Sequence, residues 1–364
     1  MMIFYRIKTC LRSGDSIKIV EKYRGNKMKN RSIEIWRLVA SILIMATHLM
    51  VVEEQTGETP FYNAWIYVEF FYFLTGYFTY RHFCASRTMD VNEAAKKALK
   101  YALKKYCRFL PFIIIITFVQ YTIEYASLGS RLSNYLNAPY EILLLTEAFP
   151  IEDVTHILPF WYLSAMMIVF PIICLLCQEK NKFLIMILGL LETIIYYGYF
   201  GYSGLNLRGF PYGLLRAFSG MLVGMMICIL VNDIGRKVNA ILGKKTLIIS
   251  WTSFLVTIVF AFYNLSAMRL YVILFIVAVF FVAVRYENVS ISKVMNSNWL
   301  ADMSLYMYLW HYTIGTAVRL YVPVVGKKRI AVYYLATVLI SVLSMIIHRL
   351  FKQYRKTGEK QNDI

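Results

Sequence analysis

Charged residues are scarce in this chain of 364 residues, where they make up 16% of the composition. A soluble domain carries about 25% charged residues, so the composition argues against a soluble globular fold. Hydrophobic residues make up 59% of the chain, and the mean hydropathy is +0.54. The sequence also lacks an internal repeat, a low-complexity segment and an appended soluble domain. These features predict a membrane protein with one membrane-embedded domain.

Ten apolar segments can be placed, and each approaches the roughly 20 helical residues that cross a ~30 Å bilayer core. We therefore expect an all-α, polytopic bundle of about ten transmembrane helices. A basic tail would precede the membrane domain and a shorter tail would follow it, giving the ranges 1–30, 31–350 and 351–364. The predicted spans are residues 33–52, 65–83, 109–126, 159–177, 183–201, 210–231, 246–263, 268–284, 299–320 and 329–350.

The net charge of +18 follows the predicted topology. With the N-terminus inside, about 30 of the 39 Lys and Arg residues lie on the cytoplasmic side, as the positive-inside rule requires. The outer loop 53–64 carries acidic residues and no base. We therefore expect both termini in the cytoplasm, contact with anionic lipid of the bilayer and no nucleic-acid partner.

The six cysteines predict neither a disulfide framework nor a metal site. All map to the predicted cytoplasmic side or to apolar segments, where thiols stay reduced. Cys174 and Cys177 form a CxxC without the second pair that a zinc site of this kind needs. We expect these two cysteines to be packed or lipid-facing, and no metal to be bound.

The stretch 31–52, which contains the first predicted span, carries Glu34, Arg37 and His48. Charge inside a span is costly and indicates function by default. Eleven residues at about 100° each bring Arg37 and His48 to within roughly 20° on one helix face, about 16 Å apart along it. Glu34 can neutralise Arg37 one turn away. The alternative, on this stretch alone as well supported, is that the Arg snorkels and the His bonds a neighbouring helix without any function in chemistry.

Two other spans carry candidate polar groups. Glu69 in the second span is expected about 6 Å below the outer surface, at a depth that allows a pair with His48. Ser304 and His311 in the ninth span are seven residues apart and share a face, with His311 near mid-membrane. Glu192 and Arg216 are further intramembrane charges for which the sequence gives no partner.

A basic run that includes Lys105 and Arg108 precedes the third span. Such a cluster suits phosphate groups, although the ordinary positive-inside flank has the same composition. The longest outer connection, 127–157, is weakly acidic and is placed to cover a site from outside.

Five fragments, in this order along residues 31–350, resemble the acyltransferase-3 family of bacterial membrane acyltransferases. They are the Glu34–Arg37–His48 pattern; VEFFYFLTGYF, with Thr75 where the family usually has Ser; KKYCRFLP, with Lys105 where Arg is common; FWYLSAMMIVFP; and SLYMYLWHY.

The resemblance implies a multi-pass bacterial plasma-membrane enzyme that moves an acetyl group from acetyl-CoA to a hydroxyl of a surface or lipid-linked glycan. It holds no permanently bound cofactor, since acetyl-CoA is a substrate. His48 would be the general base or the acyl acceptor, because imidazole titrates near neutral pH, and Glu69 would orient its ring. The other expected site residues are His311 in catalysis; Arg37, Lys105 and Arg108 on the acyl donor; and Glu34, Thr75, Gly76, Trp161, Tyr162 and Ser304 in support.

A transporter or exporter of a glycan or amino acid is the alternative. Intramembrane Glu69, Glu192, Arg216 and His311 fit a substrate or proton pathway equally well. Against transport, the sequence shows no inverted repeat and no matched pair of broken helices.

Overall fold

The computed structural model of the protein describes residues 30–52, 60–83, 91–129, 132–148, 156–200, 210–287 and 298–361. In these ranges the chain forms helices and no strand, which confirms the predicted all-α class. The helices are α1 (Arg31–Thr47), α2 (Leu49–Val52), α3 (Tyr67–Phe83), α4 (Val91–Leu128), α5 (Ala138–Ile142), α6 (Phe160–Leu176), α7 (Lys182–Glu192), α8 (Tyr212–Leu242), α9 (Lys245–Phe262), α10 (Met268–Glu287), α11 (Asn298–Tyr321) and α12 (Lys327–Gln361). Helix α7 continues as a π-helical segment over Thr193–Phe200.

Among the described residues, 6 helical segments are long and apolar enough to cross a membrane. The protein is therefore a multi-pass membrane protein, whereas the count of ten spans and the cytoplasmic placement of both termini stay predictions. Helices α1, α3 and α6 have 17 residues each, one fewer than the shortest of these six segments, which has 18. The six segments are Asn92–Ser127, Lys182–Tyr199, Tyr212–Leu242, Lys245–Phe262, Met268–Tyr286 and Lys327–Leu350.

Two element boundaries differ from those expected. The basic run with Lys105 and Arg108 is not separate from the third predicted span, 109–126, because both lie in one helix, α4, with Pro111 inside it. A proline removes one backbone hydrogen bond, a loss that membrane helices tolerate when their neighbours hold them in place. Helix α12 also continues past residue 350 to Gln361.

Two predicted segments lie partly outside the described residues. They are the basic tail, of which residues 1–29 are outside, and the outer connection, of which residues 149–155 are outside.

Helix α8 lies at the centre of the bundle, where it packs most extensively on α3 and also contacts α6, α7 and α10. The contact between α8 and α3 depends on glycine. A Cβ on Gly76 would lie 1.9 Å from the Met221 carbonyl oxygen, and one on Gly224 would lie 2.0 Å from that of Phe73. The two backbones therefore touch directly, which small residues allow in membrane helices.

Helix α1 is fixed at its start and along its buried face. The Asn30 side chain accepts hydrogen bonds from the backbone N–H groups of Ser32 at 3.0 Å and Ile33 at 3.3 Å, an N-cap that satisfies two of the unpaired donors of the first turn. Trp36 is fully buried and stacks on Phe254 of α9, with ring centroids 4.8 Å apart. These contacts set the rotation of α1 in the bundle.

Candidate active site

Helix α1 breaks at His48, which lies between α1 and α2 with φ −97° and ψ 10°. The His48 backbone N–H bonds the carbonyl of Met45 at 3.1 Å instead of continuing the α-helical pattern to Ile44. The Ile44 carbonyl accepts the His48 side chain through Nδ1 at 3.1 Å and the Thr47 hydroxyl at 2.7 Å. The break therefore releases a carbonyl group that holds the imidazole.

This contact fixes the tautomer of the neutral His48 ring. A carbonyl oxygen only accepts hydrogen bonds, so Nδ1 must carry the proton and donate it to Ile44. The other ring nitrogen, Nε2, then carries the lone pair. His48 is half-buried, so this basic atom belongs to a side chain that reactants can reach.

His311 on α11 repeats this arrangement next to His48. Its Nδ1 donates to the carbonyl of Tyr308 at 2.7 Å, so the lone pair of the neutral ring again lies on Nε2. That atom is buried and has no hydrogen-bond partner. The two imidazole centroids are 4.9 Å apart with the rings at 65°. The structure thus brings together two of the three predicted catalytic residues.

A pair of serines explains how the two histidines meet. The hydroxyls of Ser41 and Ser304 hydrogen-bond each other at 2.8 Å, and Ser304 also donates to the Arg37 carbonyl at 3.0 Å. Both serines precede their histidine by seven residues, so the shared spacing places both histidines about two turns further along parallel helices. Ser304 therefore sets the register of α11 against α1. The matching Ser41 was missed, although its spacing is visible in the sequence.

The three cations predicted to bind the donor also lie close together. Lys105 on α4 is within electrostatic range of both Arg37 and Arg108. Its Nζ lies 4.2 Å from the centroid of the Phe170 ring, a cation–π contact. Arg37 bonds Glu34 at 3.0 Å, as its spacing predicted, and its side chain stays 26% exposed. The cluster thus brings three cationic side chains together, and the Arg37 guanidinium stays partly exposed.

Arg108 has a carboxylate partner that the sequence did not suggest. It donates to Asp302 of α11 at 2.6 Å, and Arg349 of α12 is 3.9 Å from the other oxygen of the same carboxylate. The Arg108 side chain is 46% exposed, so water weakens this ion pair. Asp302 therefore holds the Arg108 guanidinium only weakly.

Aromatic side chains connect this cation cluster to the histidines. The Tyr162 ring lies 5.5 Å from that of Tyr308, and the Tyr308 ring lies 5.7 Å from that of His311. Phe71 contacts both tyrosines, with centroids 6.4 Å away in each case. Tyr162 is hydrogen-bonded to Thr75 and lies within electrostatic range of Arg37. We call Phe71, Tyr162 and Tyr308 the aromatic wall.

Glu69 is paired differently from the expectation. Its Oε1 accepts from Arg216 Nε of α8, and its Oε2 accepts from the Tyr197 hydroxyl at 2.6 Å. The carboxylate is 0% exposed and Arg216 is 2% exposed, so the pair is fully buried. The expected role of Glu69 as the group that orients His48 is therefore corrected. The direct contact of α3 with α8 brings Arg216 to this carboxylate, which sequence spacing could not reveal.

Two indole rings complete the surroundings of Arg216. Its guanidinium carbon lies 4.8 Å from the ring centroid of Trp161 and 5.3 Å from that of Trp65. Glu192, the other intramembrane charge without an assigned partner, accepts from Ser219 of α8 at 2.6 Å. Arg216 and Glu192 therefore both stabilise contacts between α8 and its neighbours.

The cysteines of the CxxC pair are buried at 2% exposure each, so they pack inside the bundle and do not face lipid. They lie close to Tyr101. In the described ranges, no group of three or more His, Cys, Asp or Glu residues is arranged to hold a metal ion.

Fold and site together define an all-helical membrane protein in which aromatic side chains connect paired imidazoles to a group of cations. The model of the acyltransferase-3 family, described as an acyltransferase domain, matches residues 30–349. The chain therefore belongs to this family of acyltransferases, and the resemblance noted in the sequence is confirmed. No curated protein and no solved structure matches the chain.

Proposed function

We propose that this membrane acyltransferase moves an acetyl or other short acyl group from acyl-CoA in the cytoplasm to a hydroxyl of a cell-surface or lipid-linked glycan. The observation that carries the proposal is the His48–His311 pair, in which backbone carbonyls fix both tautomers and leave Nε2 as the basic atom. An acyl transfer to a hydroxyl needs such a base, since the hydroxyl must lose its proton as it attacks.

The donor would bind at the cation cluster. Arg37, Lys105 and Arg108 offer the charge and the N–H donors that phosphate groups need, and Arg108 would exchange Asp302 for a phosphate. The extended pantetheine arm would then follow the aromatic wall towards the histidines. Acetyl-CoA is a substrate in this scheme and leaves as CoA after each turnover.

At the histidines, Nε2 of His48 takes the proton of the acceptor hydroxyl while the hydroxyl oxygen attacks the thioester carbon. The C–S bond breaks, and the CoA thiolate takes the proton back from the imidazolium. An ester and a free CoA thiol are the products. The reacting hydroxyl has a single proton and gives it to His48, so His311 acts on the His48 ring, which it contacts edge-on, and keeps that ring in position. In a two-step variant, His48 Nε2 attacks the thioester itself and forms an acyl-imidazole.

The topology supports opposite sides for the two substrates. Basic residues cluster at the end of the bundle that we assign to the cytoplasm of a bacterial plasma membrane, with both termini there. His48 lies towards the other end of the first span, where the outer connection 127–157 would cover it. The acceptor therefore enters from the outer face.

Two contacts weaken the transport alternative. The intramembrane charges that a substrate pathway would use have partners inside the bundle, Glu69 with Arg216 and Glu192 with Ser219. Charges occupied in this way hold helices together and are less available to a passing solute.

The test uses His48→Gln, with His348→Gln of α12 as a matched control. Labelled acetyl-CoA is supplied to the purified protein in lipid nanodiscs, and release of CoA and labelled ester is followed. Loss of a general base lowers turnover by about 10²- to 10⁴-fold, so His48→Gln should fall in that range while the control stays near normal. Normal turnover in His48→Gln would end the assignment. Protein-bound label in the absence of acceptor would identify the acyl-imidazole route.

A further inference from the structure

The N-terminal half of α4 projects beyond the part of that helix which a bilayer core can cover. Helix α4 has 38 residues, about 57 Å at 1.5 Å per residue, whereas the core is ~30 Å thick. Arg108 is followed by an apolar run, and the roughly 20 residues of 109–128 match that thickness. Residues 91–108 therefore leave the core at the basic end of the bundle. Lys104 lies about 6 Å from the boundary of the core and Lys100 about 12 Å, counted along the helix.

Three lysines form a row along this half of α4. Lys96, Lys100 and Lys104 follow one another at intervals of four residues, and all three are exposed. None of them has an ion-pair partner within the part of the chain that the structure describes. Lys105 of the cation cluster lies instead against the buried Phe170 ring. We call Lys96, Lys100 and Lys104 the lysine row, which is thus separate from the cation cluster.

The lysine row lies on the side of α4 that faces lipid further along the same helix. Ile115 and Phe118 are each 50% exposed at the surface of the bundle, where a membrane helix meets lipid tails. Ile115 follows Lys104 by eleven residues, and Phe118 follows Lys100 by eighteen. At about 100° per residue, each pair lies within roughly 20° on one side of the helix. The headgroups that cover the tails on this side are therefore next to the lysine row.

The residues around the lysine row also fit a membrane surface. Leu99 and Leu103 are 55% and 51% exposed beside the lysines. The opposite side of this half of α4, with Ala94, Ala98 and Ala102, is buried in the bundle. Lysines next to exposed leucines on one side of a helix are typical of segments that bind the boundary between headgroups and acyl chains.

Charge decides which lipid this surface fits. Each Lys near an anionic leaflet strengthens binding by roughly fivefold, whereas a zwitterionic headgroup has no net charge to attract it. A soluble nucleotide would match the lysines but would use neither the leucines nor the lipid-facing side. We propose that the lysine row, Leu99 and Leu103 bind the headgroups of anionic phospholipid at the basic end of the bundle. This inference goes beyond the proposed function, because it gives these residues no step in acyl transfer.

The experiment measures how tightly the purified protein binds lipid. Delipidated protein in detergent is titrated with phosphatidylglycerol or with phosphatidylcholine of the same acyl chains, and bound lipids are counted by native mass spectrometry. Wild type should bind phosphatidylglycerol more tightly. In Lys100→Gln/Lys104→Gln the affinity for phosphatidylglycerol should fall about 25-fold, roughly fivefold for each lysine, and that for phosphatidylcholine should stay within about twofold. Lys100→Arg/Lys104→Arg keeps both charges and should bind phosphatidylglycerol as wild type does.

Lys244→Gln/Lys245→Gln is the matched control, since these two exposed lysines lie at the turn between α8 and α9 and their replacement removes the same charge. It should lower the affinity for phosphatidylglycerol by about twofold at most, because distant charges are screened. An equal loss in both Gln variants, or equal affinity of wild type for the two lipids, overturns the inference.

Binding of CoA to the same preparations separates lipid from the nucleotide of the donor. Because the cation cluster is unchanged, CoA should bind Lys100→Gln/Lys104→Gln within about twofold of wild type. A marked fall in CoA affinity with unchanged binding of phosphatidylglycerol would assign the lysine row to the donor and overturn the inference. A protein that binds phosphatidylglycerol through the lysine row but transfers no acyl group supports the lipid site and contradicts the proposed function alone.

Discussion

The buried Glu69–Arg216 pair allows a test of whether Glu69 holds the bundle together or takes part in chemistry. Both side chains are at most 2% exposed. Replacing Arg216 by Met leaves the ionised Glu69 carboxylate inside the protein, where the Tyr197 hydroxyl still donates a hydrogen bond to it. Removing one partner of a buried ion pair costs about 3–5 kcal/mol, because the other charge stays desolvated and unpaired. Glu69→Leu should cost a similar amount for the charge left on Arg216.

The double variant Glu69→Leu/Arg216→Met removes both charges at once. Its main remaining defect is the Tyr197 hydroxyl, which loses its acceptor at a cost of about 1–3 kcal/mol. Independent effects of the two single changes would sum to about 6–10 kcal/mol. The double variant should therefore be several kcal/mol more stable than the sum predicts, and more stable than either single variant.

Unfolding of the four proteins by SDS in mixed micelles measures this cycle, and acyl transfer is measured on the same preparations. Because His48 and His311 are unchanged, the double variant should keep turnover within about tenfold of wild type. Additive losses of stability would refute the structural role of the pair. A double variant of the expected stability that no longer transfers acyl groups would show that Glu69 takes part in the reaction.

Two further predictions concern the register of α11 and the outer connection. Ser304→Ala removes its bonds to Ser41 and Arg37, so it should cost about 1–3 kcal/mol in the SDS titration and lower turnover with little change in the KM for acyl-CoA. The control Ser344→Ala, in α12, removes a hydrogen bond from Trp310 of α11 and should not lower turnover. Burial raises the pKa of Glu141, which lies in α5 near His156, Glu124 and Tyr121, from 4.5 to about 7. The folded state thus favours the protonated form of Glu141. The stability that this protonation contributes is complete below pH 4.5 and is lost as the pH rises through about 7. Protease protection of the outer connection should fall over this window by up to about 3 kcal/mol in wild type and stay flat in Glu141→Gln.

Local periodicity predicted the parts of the site that lie on one helix. The three-residue spacing of Glu34 and Arg37 gives the ion pair that the structure contains. The seven-residue spacing of Ser304 and His311 likewise places both side chains on the face that meets α1. Helical geometry alone decides such relations, so one sequence is enough to derive them.

Relations between distant helices could not be derived in this way. Glu69 and Arg216 are 147 residues apart, and nothing in either segment indicates the other. The glycines of α3 and α8 permit close packing, yet a glycine in a sequence does not indicate which two helices meet. Arg108 and Asp302 are separated by 194 residues, and their contact depends in the same way on how α4 lies against α11. An intramembrane charge thus predicts that a partner exists but does not indicate which residue it is.

The break at His48 is the feature with the largest consequence for chemistry, and the sequence carries no glycine or proline to mark it. Had α1 continued, the Ile44 carbonyl would have accepted the His48 backbone N–H. Because that N–H bonds Met45, the Ile44 carbonyl is left for Nδ1 of the ring, which commits the lone pair to Nε2. In His311 the same commitment comes from the carbonyl of Tyr308 within an intact helix. Two rings from different helices thus present the same nitrogen as base, one half-buried and one fully enclosed. That asymmetry suits His48 to meet the acceptor and His311 to position the His48 ring.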